Sequence, residues 1–245
     1  MKIAFNTLSA QAGGGITGFR NLLPKIGEID KKNDYIIFIS SNQKEIREII
    51  PLPFKVVPID YIPKNPYFRV LWEQLIFPFY LLFFCVDLIY SVGNITSLLA
   101  PCKIILLIEN SNPYSLVKIN WTKQEILKMK FLKLLGRLSA KRANRIVFVS
   151  NNSKELISKQ LNLAKEKCVT IYHGFDEHAE AVVTKEEFFP KYNYILSVAV
   201  VAPHKNLEAL VNSFDILIRK YNYEGNLLIV GDLCFEAYVA EMSQL

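Results

Sequence analysis

The chain runs to 245 residues, 51% of them apolar and 21% charged. That balance fits a folded globule and excludes a disordered or low-complexity chain, and the length allows one large domain or one domain with part of another. A net charge of +6 and a pI near 9.0 admit anionic partners without requiring a nucleic-acid binder.

Met1 leads directly into a strand at Lys2–Asn6, with no charged and apolar leader before it, so a cytoplasmic location is expected. Further strands are predicted at Tyr35–Ser40, Lys55–Ile59, Asp87–Tyr90, Lys103–Ile108, Arg145–Val149 and Cys168–Tyr172. These are apolar runs without clear alternation, as strands covered on both faces require. Helical patterns lie between them at Ile16–Ile29, Lys44–Ile49, Tyr67–Phe84, Trp121–Ala143 and Ser153–Leu161. Pro24 is expected to kink or shorten the first of these. The alternation reads as an α/β fold with a mostly parallel sheet. The greasiest stretch, Leu75 to Val86, is interrupted by Pro78 and is too short for the roughly 20 residues a bilayer span needs. It reads as a buried helix feeding a buried strand.

From His173 to Lys191 the periodicity lapses around Gly174, several acids and Pro190, as in an interdomain linker, with a short helix at Glu186–Phe189. The pattern restarts with a strand at Tyr194–Val200, a helix at Asn206–Tyr221, a strand at Asn226–Val230 and a helix from Phe235. Two βα units fall short of the roughly five or six strands of a Rossmann-like domain, so the second domain is expected to be incomplete.

Cys85, Cys102, Cys168 and Cys234 form no CxxC pair and are expected as buried thiols in a reducing compartment. His173, His178 and His204 have no HExxH or other ligand spacing, so no metal is expected, and no nucleophile elbow is present.

Three segments carry candidate chemistry. Gly13-Gly14-Gly15-Ile16-Thr17-Gly18 joins the first strand to the first helix, where clustered glycines and free helix N–H groups suit a phosphate. Gly13, Gly15 and Gly18 match GxGxxG, but the second strand ends Ser40-Ser41-Asn42 without the acid a dinucleotide site needs. A structural turn, an anion or sugar-phosphate loop and a dinucleotide loop stay open, the last being the weakest. Lys118 to Arg145 holds nine Lys or Arg against Glu125. Leu127, Phe131, Leu134, Leu135 and Leu138 share one helical face, with Lys130, Lys133, Arg137 and Lys141 on the other. A solvated face over the sheet and contact with an anionic membrane surface are the open readings, and no recognition motif supports nucleic acid. In the third segment, strand Ile195–Val200 runs through Ala202-Pro203-His204 to Lys205 at a helix start, a placement suited to a diphosphate.

At this third segment the chain resembles family 4 glycosyltransferases of the GT-B fold, whose second domain opens on a G-R-x-x-x-x-K-N segment, matched here by Lys205-Asn206. Gly14-Gly15-Ile16 is similar to that family's Gly-Gly loop, Arg145 to Ser150 to its a-d-x-v-x-x-S strand, and Tyr172-His173-Gly174-Phe175-Asp176 to its N-G-V-D hinge. Arg69-Val70-Leu71-Trp72-Glu73-Gln74 with Ser91-Val92-Gly93-Asn94 resembles bacterial members that build surface polysaccharides.

The resemblance implies a hexosyltransferase-type enzyme that transfers a sugar from a nucleotide-diphosphate sugar to a hydroxyl of a glycan or lipid-linked acceptor. It implies retention of configuration, no metal or other cofactor, no nucleic-acid partner and a role in O-antigen or capsule biosynthesis, with the protein peripheral on the inner face of the cytoplasmic membrane. Lys205, Gly14 and Gly15 would bind the donor phosphates. Ile16, Glu109, Asn110 and Ser150 would lie on the acceptor side of the cleft, and Gly174 at the hinge. Glu109-Asn110 stands where the family often has His or His-Asp, and Val200 where it has a phosphate-binding arginine. The implied layout is an acceptor-side Rossmann-like domain over 1–175, a linker over 176–191 and the start of a nucleotide-sugar domain over 192–245. The family's E-x7-E region would lie beyond Leu245. The alternative is a non-catalytic remnant that binds an acceptor or partner.

Overall fold

The computed structural model describes residues 1–9, 14–63, 65–115, 121–174, 192–233 and 238–240. Gly13, Lys118, Phe175, Asp176, the expected linker and short helix within 176–191, His178 and Cys234 lie outside them. Two units can be told apart, Met1–Ser115 with Leu127–Glu177 and Leu116–Ile126 with His178–Leu245.

In the first unit, β1 (Lys2–Asn6), β2 (Asp34–Ser40), β3 (Lys55–Ile59), β4 (Leu88–Ser91), β5 (Lys103–Ile108), β6 (Arg145–Phe148) and β7 (Cys168–Thr170) form one sheet in the order β3-β2-β1-β4-β5-β6-β7. Every pairing is parallel. Period-two side-chain alternation divides the apolar residues between two cores. Phe5, Ile37, Ile39 and Val147 pack with Phe19 and Leu23 of α1 (Gly14–Ile29) and Ile46 of α2 (Lys44–Glu48). Ala4, Ile36, Phe38, Leu106 and Phe148 face the other way. They meet Phe77 and Leu81 of α4 (Phe77–Phe83), Ala140 of α5 (Lys123–Arg142) and Ile157 of α6 (Asn151–Leu161).

The chain order changes direction beside β1, whose neighbours are β2 on one side and β4 on the other. The loops leaving β1 and β4 therefore part at their C-terminal ends, the crevice where open α/β sheets place ligands.

Several helical expectations are corrected. Pro24 lies inside α1, which runs unbroken from Gly14 to Ile29. The predicted helix over Tyr67–Phe84 is two helices, α3 (Pro66–Leu75) and α4, because Pro78 has no N–H for the Gln74 carbonyl. Nor is the stretch from Leu75 to Val86 buried all round, since Leu75, Ile76, Phe79, Leu82 and Phe83 are exposed. In α5 the buried positions are the small residues Gly136, Ser139 and Ala140, whereas Leu127, Leu134 and Leu138 face outward beside the cations. A Cβ at Gly136 would overlap the Tyr114 hydroxyl, so close approach of the helix, not leucine burial, sets this packing. Cys85 is exposed at φ 52°, in the left-handed turn that closes α4, while Cys102 and Cys168 are half-buried.

The second unit pairs β8 (Tyr194–Val198) with β9 (Asn226–Val230) in parallel and carries α7 (Leu207–Tyr221). Val201, Leu207 and Tyr238 form its core, and residues 238–240 are helical. The Tyr238 hydroxyl accepts from the Leu207 amide at 3.1 Å, satisfying one of the orphan donors at the start of α7.

Candidate functional site

The C-terminal ends of the strands in the first unit converge on a cavity of about 690 Å³ on the α1 side of the sheet, over β4, β5 and β6. Its walls are apolar, from Phe5, Phe19, Leu22, Ile26, Tyr90, Leu107, Val147, Val149 and Ile171. Polar groups enter from Thr17, Asn21 and Lys25 of α1 and from Glu109, Tyr172 and His173 on the loops after β5 and β7. Gly15 and Gly174 complete the lining. Among the described residues no group of three His, Cys, Asp or Glu could hold a metal ion.

Glu109 and His173 meet here, with His173 Nε2 at 3.4 Å from Glu109 Oε1. Burial raises the Glu109 carboxyl above the ordinary carboxylate range, and the neighbouring imidazole opposes that rise. Tyr90 shares the wall, and burial, reinforced by the Glu109 charge, pushes its phenol up to about 12. Burial thus works against the charged form of both groups. Tyr172 is steadied by Asn151, whose Nδ2 donates to the phenol oxygen at 2.9 Å while its Oδ1 accepts from Thr170 Oγ1 at 2.8 Å.

Beneath Glu109 lies a support that sequence reasoning missed. Asn94, at φ 71° after Gly93 at φ 81°, accepts on Oδ1 from the amides of both Glu109 and Asn110 at 3.1 Å. Its Nδ2 donates to the Asn110 carbonyl at 2.5 Å. One buried side chain thus fixes the backbone that aims Glu109. The Gly93-Asn94 dipeptide was the available signal, because both types accept left-handed backbone. Ser9 Oγ donates to the Val92 carbonyl at 3.2 Å and ties the parting β1 and β4 loops together.

A second support lies under the loop after β1. Asn6 Oδ1 accepts from the Leu8 amide at 3.1 Å, and its Nδ2 donates to Glu73 Oε2 at 3.3 Å. Glu73 is buried, and burial raises its carboxyl despite the opposing Arg69 and Asn6. Arg69 Nε stands 3.7 Å from Glu73 Oε1. Next in sequence, Gln74 accepts from the Leu98 amide at 2.8 Å and donates to the Thr96 carbonyl at 3.1 Å. Glu73 and Gln74 therefore brace the connections after β1 and β4.

The sequence-predicted residues are placed as follows. Gly15 lines the cavity, and Gly14 opens α1, whose first-turn amides have no acceptor within the helix. Ile16 is half-buried against the core on the α1 side. Glu109 reaches the cavity, whereas Asn110 contributes only backbone to the Asn94 clamp. Ser150 is the N-cap of α6, with its Oγ accepting from the Ser153 amide at 3.1 Å, and it is not among the lining residues. Gly174 lines the cavity with open space where a Cβ would stand. Lys205 belongs to the second unit, exposed at the end of the 3₁₀ turn Pro203–Lys205 and followed by Asn206 at φ 52°. His204 beside it stacks on Trp121 at 6.0 Å, and burial, then Lys205, lowers its proton affinity.

No family model matches the chain. A curated relative, the O-antigen chain mannosyltransferase RfbU of Salmonella typhimurium, is 29% identical over 92 residues, which is 38% of this chain and 25% of the relative. Among solved structures, a glycosyltransferase from Rickettsia africae aligns over 99% of this chain and 64% of its own, at TM-score 0.62 and 14% identity. HepE from Anabaena, solved in complex with UDP, aligns over 100% and 65%, at TM-score 0.58 and 16% identity. A UDP-N-acetylglucosamine 2-epimerase from Rickettsia bellii aligns over 98% and 71%, at TM-score 0.56 and 11% identity. The chain spans just under two thirds of the Rickettsia africae and HepE structures and matches a quarter of the curated relative. With its parallel sheet, its β1/β4 crevice and these likenesses taken together, the chain has a Rossmann-like α/β architecture of the GT-B fold.

Proposed function

We propose that the chain serves a hexosyltransferase of cell-surface polysaccharide biosynthesis, moving a sugar from a nucleotide-diphosphate sugar to an acceptor hydroxyl with retention and without a metal. The observation that carries this reading is the meeting of Gly15, at the N-terminus of α1, with the Glu109–His173 pair around one cavity at the strands' C-terminal ends. Helix N-terminal amides favour an anionic group, and a half-buried carboxyl beside an imidazole suits a sugar hydroxyl. The similarity to an O-antigen mannosyltransferase supports the same pathway class.

In this reading the domain over 1–175 takes the acceptor, with Glu109 and His173 orienting its hydroxyl and the Asn94 clamp holding Glu109, and the amides at Gly14 and Gly15 suit a phosphate. The segment over 192–245 belongs to the donor side, where Lys205 offsets charge gathering on the leaving diphosphate. The acceptor is a glycan or lipid-linked glycan, handled on the cytoplasmic side of the membrane.

The test measures melting shifts and nucleoside diphosphate release over a panel of nucleotide sugars, with and without hydroxyl acceptors. The expected result is one preferred donor, acceptor-dependent release, and a Lys205→Ala variant whose turnover falls while acceptor binding holds. A chain that responds to no donor but still binds a glycan sinks the enzyme reading in favour of a binding domain. Acceptor-independent inversion at C2 of a UDP-sugar would favour epimerase chemistry instead, as in the Rickettsia bellii structure.

A further inference from the structure

We infer that the outward faces of α3, α4 and α5 together form a docking surface for an anionic lipid bilayer. Phe68, Leu71 and Leu75 on α3 and Phe79, Leu82 and Phe83 on α4 recur at three- and four-residue spacing, which puts each set on one helical face. All six are exposed, Phe68 by 63%, Phe79 by 67% and Phe83 by 80%. Their opposite faces bury Glu73, Phe77, Pro78 and Leu81, so both helices already have their core contacts. Lone exposed apolar residues need no account, but two consecutive helices that both turn aromatic faces outward mark an interaction surface.

The charge around this patch indicates the occupant. Arg69 and Glu73 are the only ionisable side chains of α3 and α4 apart from Tyr67 and Tyr80, and they are turned inward beside each other. On α5, Leu127, Leu134 and Leu138 are exposed in a strip with Lys130, Arg137 and Lys141. Glu125 is the only acid of that helix. The Tyr67 and Phe131 rings lie 5.6 Å apart and tie α3 to α5, and α4 and α5 both pack on the same face of the sheet.

An uncharged aromatic area bordered by cations matches the acyl–headgroup boundary of an anionic leaflet. A second copy of the chain would bring a like-charged helix to the interface, and nucleic acid would leave the uncharged aromatic area unmatched. No helix among the described residues is long and apolar enough to cross a membrane, so the surface lies on the leaflet. The assignment rests on the membrane-side part of the proposed function and locates it.

The full chain is tested by flotation with vesicles of phosphatidylcholine alone and of phosphatidylcholine mixed with phosphatidylglycerol. Binding is expected only to the mixed vesicles. The exposed triple variant Lys130→Glu/Arg137→Glu/Lys141→Glu should weaken it by at least roughly a hundredfold. Phe68→Ser/Phe79→Ser/Phe83→Ser should weaken it about tenfold or more. Unchanged near-ultraviolet dichroism shows that each variant folds. Equal binding by wild type and both folded variants, binding indifferent to phosphatidylglycerol, or no vesicle binding at all overturns the proposal. So does a dimer that the phenylalanine variant dissociates, which would make the face a protein interface. Nucleotide-sugar melting shifts on the same samples keep the two ideas apart. A donor response without vesicle binding sinks only the surface, and vesicle binding without a donor response sinks only the glycosyltransferase reading.

Discussion

His173 Nε2 sits 3.4 Å from Glu109 Oε1, so a histidine arriving after β7 stands beside a carboxyl arriving after β5. Neither residue is near the other in sequence. The parallel sheet, which delivers every strand end to the same edge, brings them together. Glu109→Gln keeps the shape and removes the negative charge that Tyr90 and His173 sense. Turnover in the transfer assay should fall by roughly a hundredfold or more, with melting temperature unchanged or slightly raised because a desolvated acid is gone. Unchanged turnover in the folded variant would remove Glu109 from the site.

Asn94→Ala removes the acceptor shared by two amides and leaves alanine at φ 71°. The expected loss of stability is about 1–3 kcal/mol by urea unfolding, from unsatisfied amides together with left-handed strain. Asn94→Gly relieves only the backbone part. Recovery in Asn94→Gly to wild-type stability would show that the clamp contributes nothing.

Glu73 gives the fold a pH dependence. Burial raises its carboxyl above its unfolded value, so the folded chain holds that proton through a window in which the unfolded chain has released it. Stability therefore declines as pH rises upward from the ordinary carboxylate range and levels off above the folded value. Glu73→Gln, which can still accept from Asn6, should flatten this slope in urea midpoints measured across mildly acidic to neutral pH. A slope that persists unchanged in the variant would place its origin elsewhere.

Gly136→Ala should destabilise by about 1–3 kcal/mol, because the new methyl overlaps the Tyr114 hydroxyl. That hydroxyl is buried with no hydrogen-bond partner among the described residues, and burial pushes its phenol up to about 12. Tyr114→Phe alone should therefore cost little, and in combination it should restore part of the Gly136→Ala loss. A double variant no more stable than Gly136→Ala would assign the clash to another neighbour. Thermal melting of the four proteins reads the cycle.

The strands were legible in the sequence because each is an apolar run of the length a doubly covered sheet requires. β1, β3, β5 and β9 begin and end as the pattern predicts. Helix existence was legible for the same reason, but facing was not. Leucine spacing in α5 predicted the wrong buried face, since Gly136, Ser139 and Ala140 allow closer approach to Tyr114 than leucines would. At the site, Gly15 and Glu109 could be named from their positions after predicted strands. Asn94, the pairing of His173 with Glu109 and the Asn6–Glu73 contact depend on strand order, which a linear pattern of apolar runs leaves open. Ser150 looked like a cleft residue by position, whereas its hydroxyl caps α6.

The small-residue packing of α5 inverts the usual map of mutational tolerance along that helix. Its greasiest positions, Leu127, Leu134 and Leu138, can turn polar with little cost to folding, and Gly136, Ser139 and Ala140 can hardly change at all. A drifting sequence would therefore keep its inconspicuous residues and spend its conspicuous ones, so any leucines retained on that helix are held by something outside the fold.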